Sequence, residues 1–171
     1  MKLNALCIAL SLLVVPAVSS AQNPFDQIKK SAGDAGKGAI EKRVNAKLME
    51  DARKNQCSFK SGTDVLEPGC DKKLRNLTNA LVEAKKQLDA GGLKNYKFEV
   101  SGHTDSVGDA AKNKALSEKR AAVIVKELVS RGIPSGEIKA VGRGSEQMLV
   151  KPDDTPAKKA KNRRYEIQVR L

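Results

Sequence analysis

The apolar positions in the second half of the chain repeat with the period of a strand, then of a helix, and then of strands again. Residues 96–101 alternate apolar and polar side chains, which is typical of a half-buried strand. Apolar residues at helical spacing follow and predict a helix from about 113 to 131, ended by Gly132. A short strand is predicted at 138–140, and the clean alternation of 165–170 predicts a final strand.

The region before residue 96 adds one strand and one helix to this pattern. Residues 57–59 are a short strand candidate, and the leucines between 74 and 88 predict a long amphipathic helix that Gly91 and Gly92 end. The resulting order, β-α-β-α-β-β, predicts an α/β (α+β) fold. We expect a two-layer sandwich in which the helices pack on one face of a mixed sheet.

The first 21 residues have the pattern of a signal peptide. Lys2 provides a positive start, residues 6–15 are apolar, and small residues up to Ala21 suit cleavage after that position. The apolar run is too short to span a bilayer as a helix. We therefore expect an exported protein without a lipid anchor, and an uncleaved membrane anchor is the alternative.

A helical N-terminal extension is predicted at 22–55, before a domain at 56–171. Ile40, Val44 and Leu48 recur every four residues with charged residues between them, which predicts an amphipathic helix. Such a helix is marginal alone, because most helical stability in proteins comes from packing of the apolar face. It should dock on its own domain or on a partner.

The chain is strongly basic, with a formal net charge of +12. Removal of the signal peptide takes away one lysine and no acid, which leaves +11. Such a charge favours binding to polyanions or simply keeps the protein soluble. Because export separates the protein from nucleic acid, we expect no nucleic-acid partner.

The cysteine and histidine content limits the chemistry of the mature chain. Cys57 and Cys70 remain after cleavage, and an even count in an exported chain predicts a disulfide between them. Two unrelated buried thiols are the alternative. His103 is the only histidine, which argues against a zinc hydrolase and against a histidine-activated nucleophile. We therefore predict no catalytic residue, no metal and no cofactor.

An acid and an arginine stand out where the strand at 96–101 leads into the next helix. Asp105 follows the strand, and Arg120 falls between Leu116 and Ile124, close to the apolar face of the helix. An arginine in that position needs a partner, since an isolated buried charge is too costly. If the two groups converge, they can hold a zwitterionic ligand. The alternative is an ion pair that only pins the helix to the strand.

The motifs around these two residues resemble the OmpA-like peptidoglycan-binding domain from about residue 57 to 171. The matching residues are Gly102-His103-Thr104-Asp105, Gly108, Asn113, Leu116-Ser117, Arg120-Ala121, Gly132-Ile133, Gly142, Gly144 and Asn162-Arg163-Arg164. The resemblance implies non-covalent binding of the cell-wall stem peptide through its meso-diaminopimelate residue. The chain departs from the family at Lys60, where many members have an aspartate.

The resemblance also implies a role for each residue of the site. Asp105 would take the ammonium of the ligand, and Arg120 would take its carboxylate, because a guanidinium matches a carboxylate bidentately. The other residues implied are Asn113 and Leu116 in the pocket, the aromatic Phe59, and Asn162 and Arg163 at the rim. His103 is interpreted as a structural residue, and Asn113 has an alternative role as a helix cap.

The implied location is the periplasm, with a possible association with the outer membrane. Residues 24–55 are the candidate for contact with an outer-membrane protein or for self-association. One alternative function is salt-sensitive binding of a polyanion such as lipopolysaccharide. A cell-wall hydrolase is a further alternative, although no recognisable pair of catalytic carboxylates supports it.

Overall fold

The computed structural model describes residues 24–171, and for residues 24–32, 34 and 35 it describes the backbone alone. The elements are α1 (Pro24–Lys54), α2 (Asp71–Ala90), β1 (Lys97–His103), α3 (Ala110–Ser130), a 3-10 turn (Ser135–Glu137), β2 (Ile138–Gly144), α4 (Pro156–Asn162) and β3 (Tyr165–Arg170). The signal peptide predicted at 1–21 lies outside the described residues. None of the helices in the described part of the chain is long and apolar enough to cross a membrane.

The three strands form one mixed sheet in the order β2-β1-β3. β1 and β2 are parallel, with Phe98 opposite Ile138, whereas β1 and β3 are antiparallel, with Phe98 opposite Val169. The α3 helix connects the two parallel strands and packs on both of them. The predicted α/β class with helices against a mixed sheet is therefore confirmed.

The two faces of the sheet differ in polarity. Phe98, Val100 and Ile167 are buried in the core, together with the leucines that α2 contributes. On the other face, Glu99 forms ion pairs with Arg143 at 2.8 Å and with other basic side chains of the neighbouring strands. The helices thus supply the apolar layer, and charged side chains cover the opposite face.

Helix α1 closes the outer edge of β3 with two side-chain carboxamides. Asn45 accepts from the Val169 N–H at 2.6 Å and donates to the Val169 carbonyl at 3.2 Å. Gln56, just after the helix, accepts from the Tyr165 N–H at 3.1 Å and donates to the Tyr165 carbonyl at 2.7 Å. Each carboxamide therefore satisfies the donor and the acceptor that an additional strand would pair with.

The order of elements differs from the predicted one at two points. Residues 57–59 do not form a strand of the sheet, because the outer edge of β3 is occupied by α1 and Gln56. Phe59 instead forms an isolated β-bridge with Leu66. The short helix α4, which begins after the N-cap Thr155, is an element that the hydrophobic pattern does not predict.

Two glycines allow α3 to lie directly on the sheet. A Cβ atom on Gly102 would stand 2.1 Å from the Ser117 carbonyl oxygen, and one on Gly142 would stand 2.5 Å from the Lys114 carbonyl oxygen. Both contacts are with helix backbone, which cannot move aside as a flexible side chain can. The small residues in β1 and β2 therefore determine how close α3, and with it Arg120, comes to the strands.

Candidate functional site

A cleft of about 1440 Å³ lies where β1 ends and β3 begins. Its walls come from α1, from the loop after residue 57, from the first half of α3 and from the region around α4. The residues that the sequence predicted for the site and that line this cleft are Phe59, Asp105, Asn113, Leu116, Arg120 and Arg163. The fold thus brings these six residues together from four separate segments of the chain.

Asp105 leaves the end of β1 with its carboxylate held on two sides. Its Oδ2 atom forms an ion pair with Arg163 Nη1 at 2.7 Å. Its Oδ1 atom accepts a hydrogen bond from the Val107 N–H at 3.2 Å. The Asp105 side chain is only 14% exposed, so its orientation towards the cleft is well defined.

Arg120 lies in the same cleft but is held by other groups. Its Nε–H donates to the Thr63 carbonyl at 2.8 Å, and its Cζ lies 5.1 Å from the centroid of the Phe59 ring. Burial lowers the pKa of Arg120, the nearby Arg163 lowers it further, and Asp105 acts in the opposite direction. Arg120 is therefore a partly buried cation that lines the same cleft as Asp105.

The alternative of a purely structural Asp105–Arg120 ion pair is wrong, because the acid is paired with Arg163 instead. Arg120 and Asp105 interact only at longer range, through the electrostatic effect on the arginine. Both groups line the cleft without being bonded to each other. A space between an acid and a guanidinium is what a zwitterionic ligand requires.

Asn113 is a cleft residue and not a helix cap. The N-cap of α3 is Asp109, whose side chain accepts from the Lys112 N–H at 2.9 Å. Asn113 donates instead to the Val107 carbonyl at 2.9 Å and so links α3 to the loop after β1. Leu116 lies one turn further along α3 and provides an apolar wall.

Asn162 does not reach the cleft, so its predicted position at the rim is wrong. The side chain is fully buried and holds the loop before α4 through four hydrogen bonds. One of its partners is Asp153, which also accepts from the Ser106 N–H at 2.9 Å. The hydrogen bonds from Ser106 lower the pKa of Asp153 to about 2. Asn162 thus supports the site from behind, by joining this loop to the segment after Asp105.

His103 lies at the floor of the cleft, 2% exposed, with both ring nitrogens lacking a hydrogen-bond partner in the described part of the chain. Burial lowers the pKa of His103 to about 4, and Arg164 and Arg143 lower it in addition. Glu166, 3.8 Å away, acts in the opposite direction. The imidazole is therefore neutral at pH 7 and offers one donor and one acceptor.

Helix α1 contributes cleft residues that the sequence analysis did not predict. Met49 and Arg53 both line the cleft. A signal for them exists in the spacing, since each directly follows a buried residue of the apolar face, Leu48 and Ala52. Residues at that edge of an amphipathic helix point along the surface on which the helix packs.

The two cysteines are close together, buried and free in the structure. Cys57 Sγ lies 3.9 Å from the Cys70 carbonyl oxygen. Burial raises the pKa of the Cys57 thiol to about 12, so the reactive thiolate is disfavoured. The Cys57–Cys70 disulfide remains a prediction.

Comparison with known proteins gives one family and a consistent fold. The model of the OmpA family matches residues 58–163. Outer membrane porin F of Pseudomonas fluorescens is 45% identical over 71 residues, which are 42% of this chain and 22% of that protein. Peptidoglycan-binding protein ArfA of Mycobacterium tuberculosis is 40% identical over 70 residues, which are 41% of this chain and 21% of that protein. The chain thus spans about a fifth of the length of these relatives.

Two solved structures share the fold at low sequence identity. The peptidoglycan-associated lipoprotein from Burkholderia pseudomallei superposes with a TM-score of 0.55 at 21% identity, over 67% of this chain and 89% of that one. The cell wall anchor of the T6SS from Pseudomonas aeruginosa superposes with a TM-score of 0.54 at 19% identity, over 75% of this chain and 96% of that one. The family model ends before β3 and begins after α1, so Met49 and Arg53 lie outside the matched segment.

Proposed function

Because this chain belongs to the OmpA family, matched over residues 58–163, we propose that it binds peptidoglycan reversibly through the meso-diaminopimelate of the stem peptide. The observation that carries the proposal is the geometry of Asp105 and Arg120, which line one cleft and are not bonded to each other. A relative at 40% identity, ArfA, is itself named as a peptidoglycan-binding protein.

Each end of the zwitterion meets a group of opposite charge in this cleft. The ligand ammonium would lie against the carboxylate of Asp105, whose negative charge Arg163 holds in place. The ligand carboxylate would bind the two Nη groups of Arg120, which have no other partner among the described residues. The Phe59 ring lies 5.1 Å from Arg120 Cζ and so helps to hold the guanidinium at the cleft through a cation–π contact.

The acids of the cleft support binding without turnover. Those that line it are Glu50, Asp105 and Glu166, and each is ion-paired with a basic side chain. Hydrolysis of a glycosidic bond uses two carboxyl groups of which one donates a proton. Because every acid lining the cleft in the described part of the chain has a basic partner, these acids suit ligand positioning better than proton transfer.

We propose the periplasm as the location and attachment to the cell wall as the result of binding. The predicted signal peptide and the names of the relatives, which include outer membrane proteins, support this location. Helix α1 packs on its own chain through Val44 and Leu48. A contact of residues 24–55 with an outer-membrane protein or with a second copy would therefore use the exposed side of α1.

Cosedimentation with purified sacculi tests the proposed function. We expect Asp105→Ala and Arg120→Ala each to weaken binding about tenfold or more, because each removes a charge-assisted hydrogen bond worth about 1.5–3 kcal/mol. Lys126→Gln, an exposed α3 position outside the cleft, is the matched control and should bind like the parent.

The same assay separates stem-peptide recognition from general polyanion binding. If both cleft variants pellet as well as the parent, the assignment of the site is wrong. Binding that falls steeply with salt and ignores both substitutions would identify lipopolysaccharide-type polyanion binding instead. Release of soluble fragments from labelled sacculi would identify a hydrolase.

A further inference from the structure

The cleft continues beyond Asp105 and Arg120 along helix α1. We call this part the α1 side and define it by Met49, Arg53, His103, Leu149 and Lys161, all of which line the cleft. Arg53 and Met49 come from α1, Lys161 comes from α4, and His103 is the last residue of β1. The α1 side is therefore assembled from elements that lie far apart in the chain.

The α1 side contains two cations that form no salt bridge. Arg53 and Lys161 have neither an ion-pair nor a hydrogen-bond partner among the described residues. Glu50, which acts on Arg53 at longer range, is itself ion-paired with Lys54. The other basic residues of the cleft are arranged differently, since Arg163 is paired with Asp105 and Arg164 with Glu166. Two uncommitted cations beside the proposed carboxylate site favour a second negative group on the ligand.

His103 contributes a buried, neutral imidazole to the α1 side. Both ring nitrogens lack a partner in the described part of the chain, but they are almost inaccessible from the cleft. The groups of the α1 side that are available for binding are therefore its cations and its apolar side chains.

Apolar side chains also border the α1 side. Met49 is 42% exposed and Leu149 is 61% exposed. Their position on the cleft lets them cover the aliphatic part of a bound peptide. A peptide segment with a carboxylate and a short aliphatic chain would therefore meet complementary groups on the α1 side.

We propose that the α1 side is a second subsite, which binds a further free carboxylate of the stem peptide through Arg53 and Lys161. This proposal rests on the proposed function, in which Arg120 takes the carboxylate of diaminopimelate. The preceding residue of that peptide, a glutamate linked through its side-chain carboxyl group, keeps its α-carboxylate free. The chemistry of the ligand therefore supplies a second anion one residue from the first.

Calorimetric titration with two soluble peptides tests the second subsite. The probes are L-alanyl-γ-D-glutamyl-meso-diaminopimelate and the same tripeptide with its glutamate α-carboxylate converted to an amide. We expect the parent protein to bind the acidic peptide about tenfold more tightly, the effect of two partly exposed ion pairs. We expect the double variant Arg53→Gln/Lys161→Gln to lose this preference and to keep its affinity for the amidated peptide.

The double variant Arg43→Gln/Lys126→Gln is the matched control, because it removes the same charge from exposed positions on α1 and α3 outside the cleft. It should retain the preference for the acidic peptide. An equal loss in this control would mean a general charge effect and would overturn the second subsite.

The two proposals fail in distinguishable ways. If the parent binds both peptides equally and Arg53→Gln/Lys161→Gln changes nothing, the second subsite is wrong and the proposed function stands. If the parent binds neither peptide, the proposed function fails. An Arg120→Ala variant that loses both peptides, while Arg53→Gln/Lys161→Gln loses only the preference, is the result that supports both.

Discussion

The two sides of the cleft are built in opposite ways. On the α3 side, Asp105 and Arg120 are held by short-range contacts with Arg163, Thr63 and Phe59. On the α1 side, Arg53 and Lys161 form no salt bridge and no hydrogen bond in the described part of the chain. The α3 side lies within the segment that the family model matches, and α1 lies before it. The segment matched by the family model thus holds Asp105, Arg120 and Lys161, whereas Met49 and Arg53 come from a helix outside it.

The supports of the two sides differ as well. The α3 helix is seated by backbone contact with the sheet at Gly102 and Gly142, where no side chain intervenes. The α1 helix is tied to the edge of β3 by side-chain hydrogen bonds from Asn45 and from the adjoining Gln56. A close contact between two backbones leaves no room for an added atom. A side-chain hydrogen bond contributes a modest free energy, and water can replace it when the side chain is removed. A substitution at the contact between α3 and the sheet should therefore lower the free energy of unfolding more than one at the hydrogen bonds between α1 and β3.

The largest effect is expected from Gly102→Ala. The new Cβ atom would stand 2.1 Å from the Ser117 carbonyl oxygen, so α3 has to move away from β1. Overpacking of this kind should lower the free energy of unfolding by about 3 kcal/mol. Chemical denaturation measures it, and binding to sacculi should fall in parallel because Arg120 moves with α3.

Gly136→Ala is the control for this substitution. A Cβ atom at Gly136 meets nothing within 4 Å, so the free energy of unfolding should stay within about 0.5 kcal/mol of the parent. A Gly102→Ala variant as stable as its Gly136→Ala counterpart would show that α3 is not seated by this contact.

An intermediate effect is expected from the titration of His103, a buried residue of the α1 side. Its folded-state pKa of about 4 is below its ordinary value of 6.5, so the unfolded chain takes up the proton first. Stability should therefore fall as the pH decreases from about 6.5 to 4 and change no further through this group below that. The loss between about pH 7 and pH 5 should be about 2 kcal/mol.

Denaturation of the parent and of His103→Gln at several pH values isolates this contribution. In the variant, the free energy of unfolding should not show the decrease between about pH 6.5 and 4 that His103 causes in the parent, because glutamine does not titrate. The depressed pKa of Asp153 acts in a separate window, since its stabilisation is lost as the pH falls from 3.8 to about 2. If the free energy of unfolding of the two proteins changes with pH in the same way above pH 4.5, the loss of stability does not come from His103.

The smallest effect is expected from Asn45→Ala on the α1 side. The substitution removes both hydrogen bonds to Val169 but leaves the buried Val44 and Leu48 in place. We expect a loss of about 1–2 kcal/mol in the free energy of unfolding. Hydrogen exchange of the Val169 amide should speed up more than that of amides in β1.

Lys47→Gln serves as the reference on the same helix. It removes an exposed ion pair with Asp51, and pairs of this kind contribute little to the free energy of unfolding. If Asn45→Ala is no more destabilising than Lys47→Gln, the carboxamide does not hold α1 to the strand.

Local pattern was sufficient to predict most of the elements. The strand before Asp105, the following helix and the last strand all depend on alternation or helical spacing, which neighbouring residues determine. The prediction of a strand at 57–59 was wrong, because the side chains of Asn45 and Gln56 occupy the edge of β3 with which such a strand would pair. Polar residues in such a position look like ordinary solvent-facing residues in a sequence.

The site was predictable as a set of residues but not as a set of contacts. Arg120 stood out because its position near an apolar face demanded a partner. The acid expected for it, Asp105, pairs instead with Arg163, which lies 58 residues further along the chain. Asn162 next to it turns inward to the loop it supports. Spacing cannot distinguish these two neighbours, because the direction of each side chain depends on how α4 packs.

The hydrogen bonds between Asn45 of α1 and Val169 of β3 have a consequence for the order of folding. The two residues are separated by 124 positions, so α1 docks on a strand that is synthesised much later. Contacts of such long range close late, because the entropy of forming the loop must be overcome first. A nascent chain that lacks β3 cannot complete this sheet, and α1 remains without its docking edge. Commitment of this domain to the native state is therefore delayed until β3 has been synthesised.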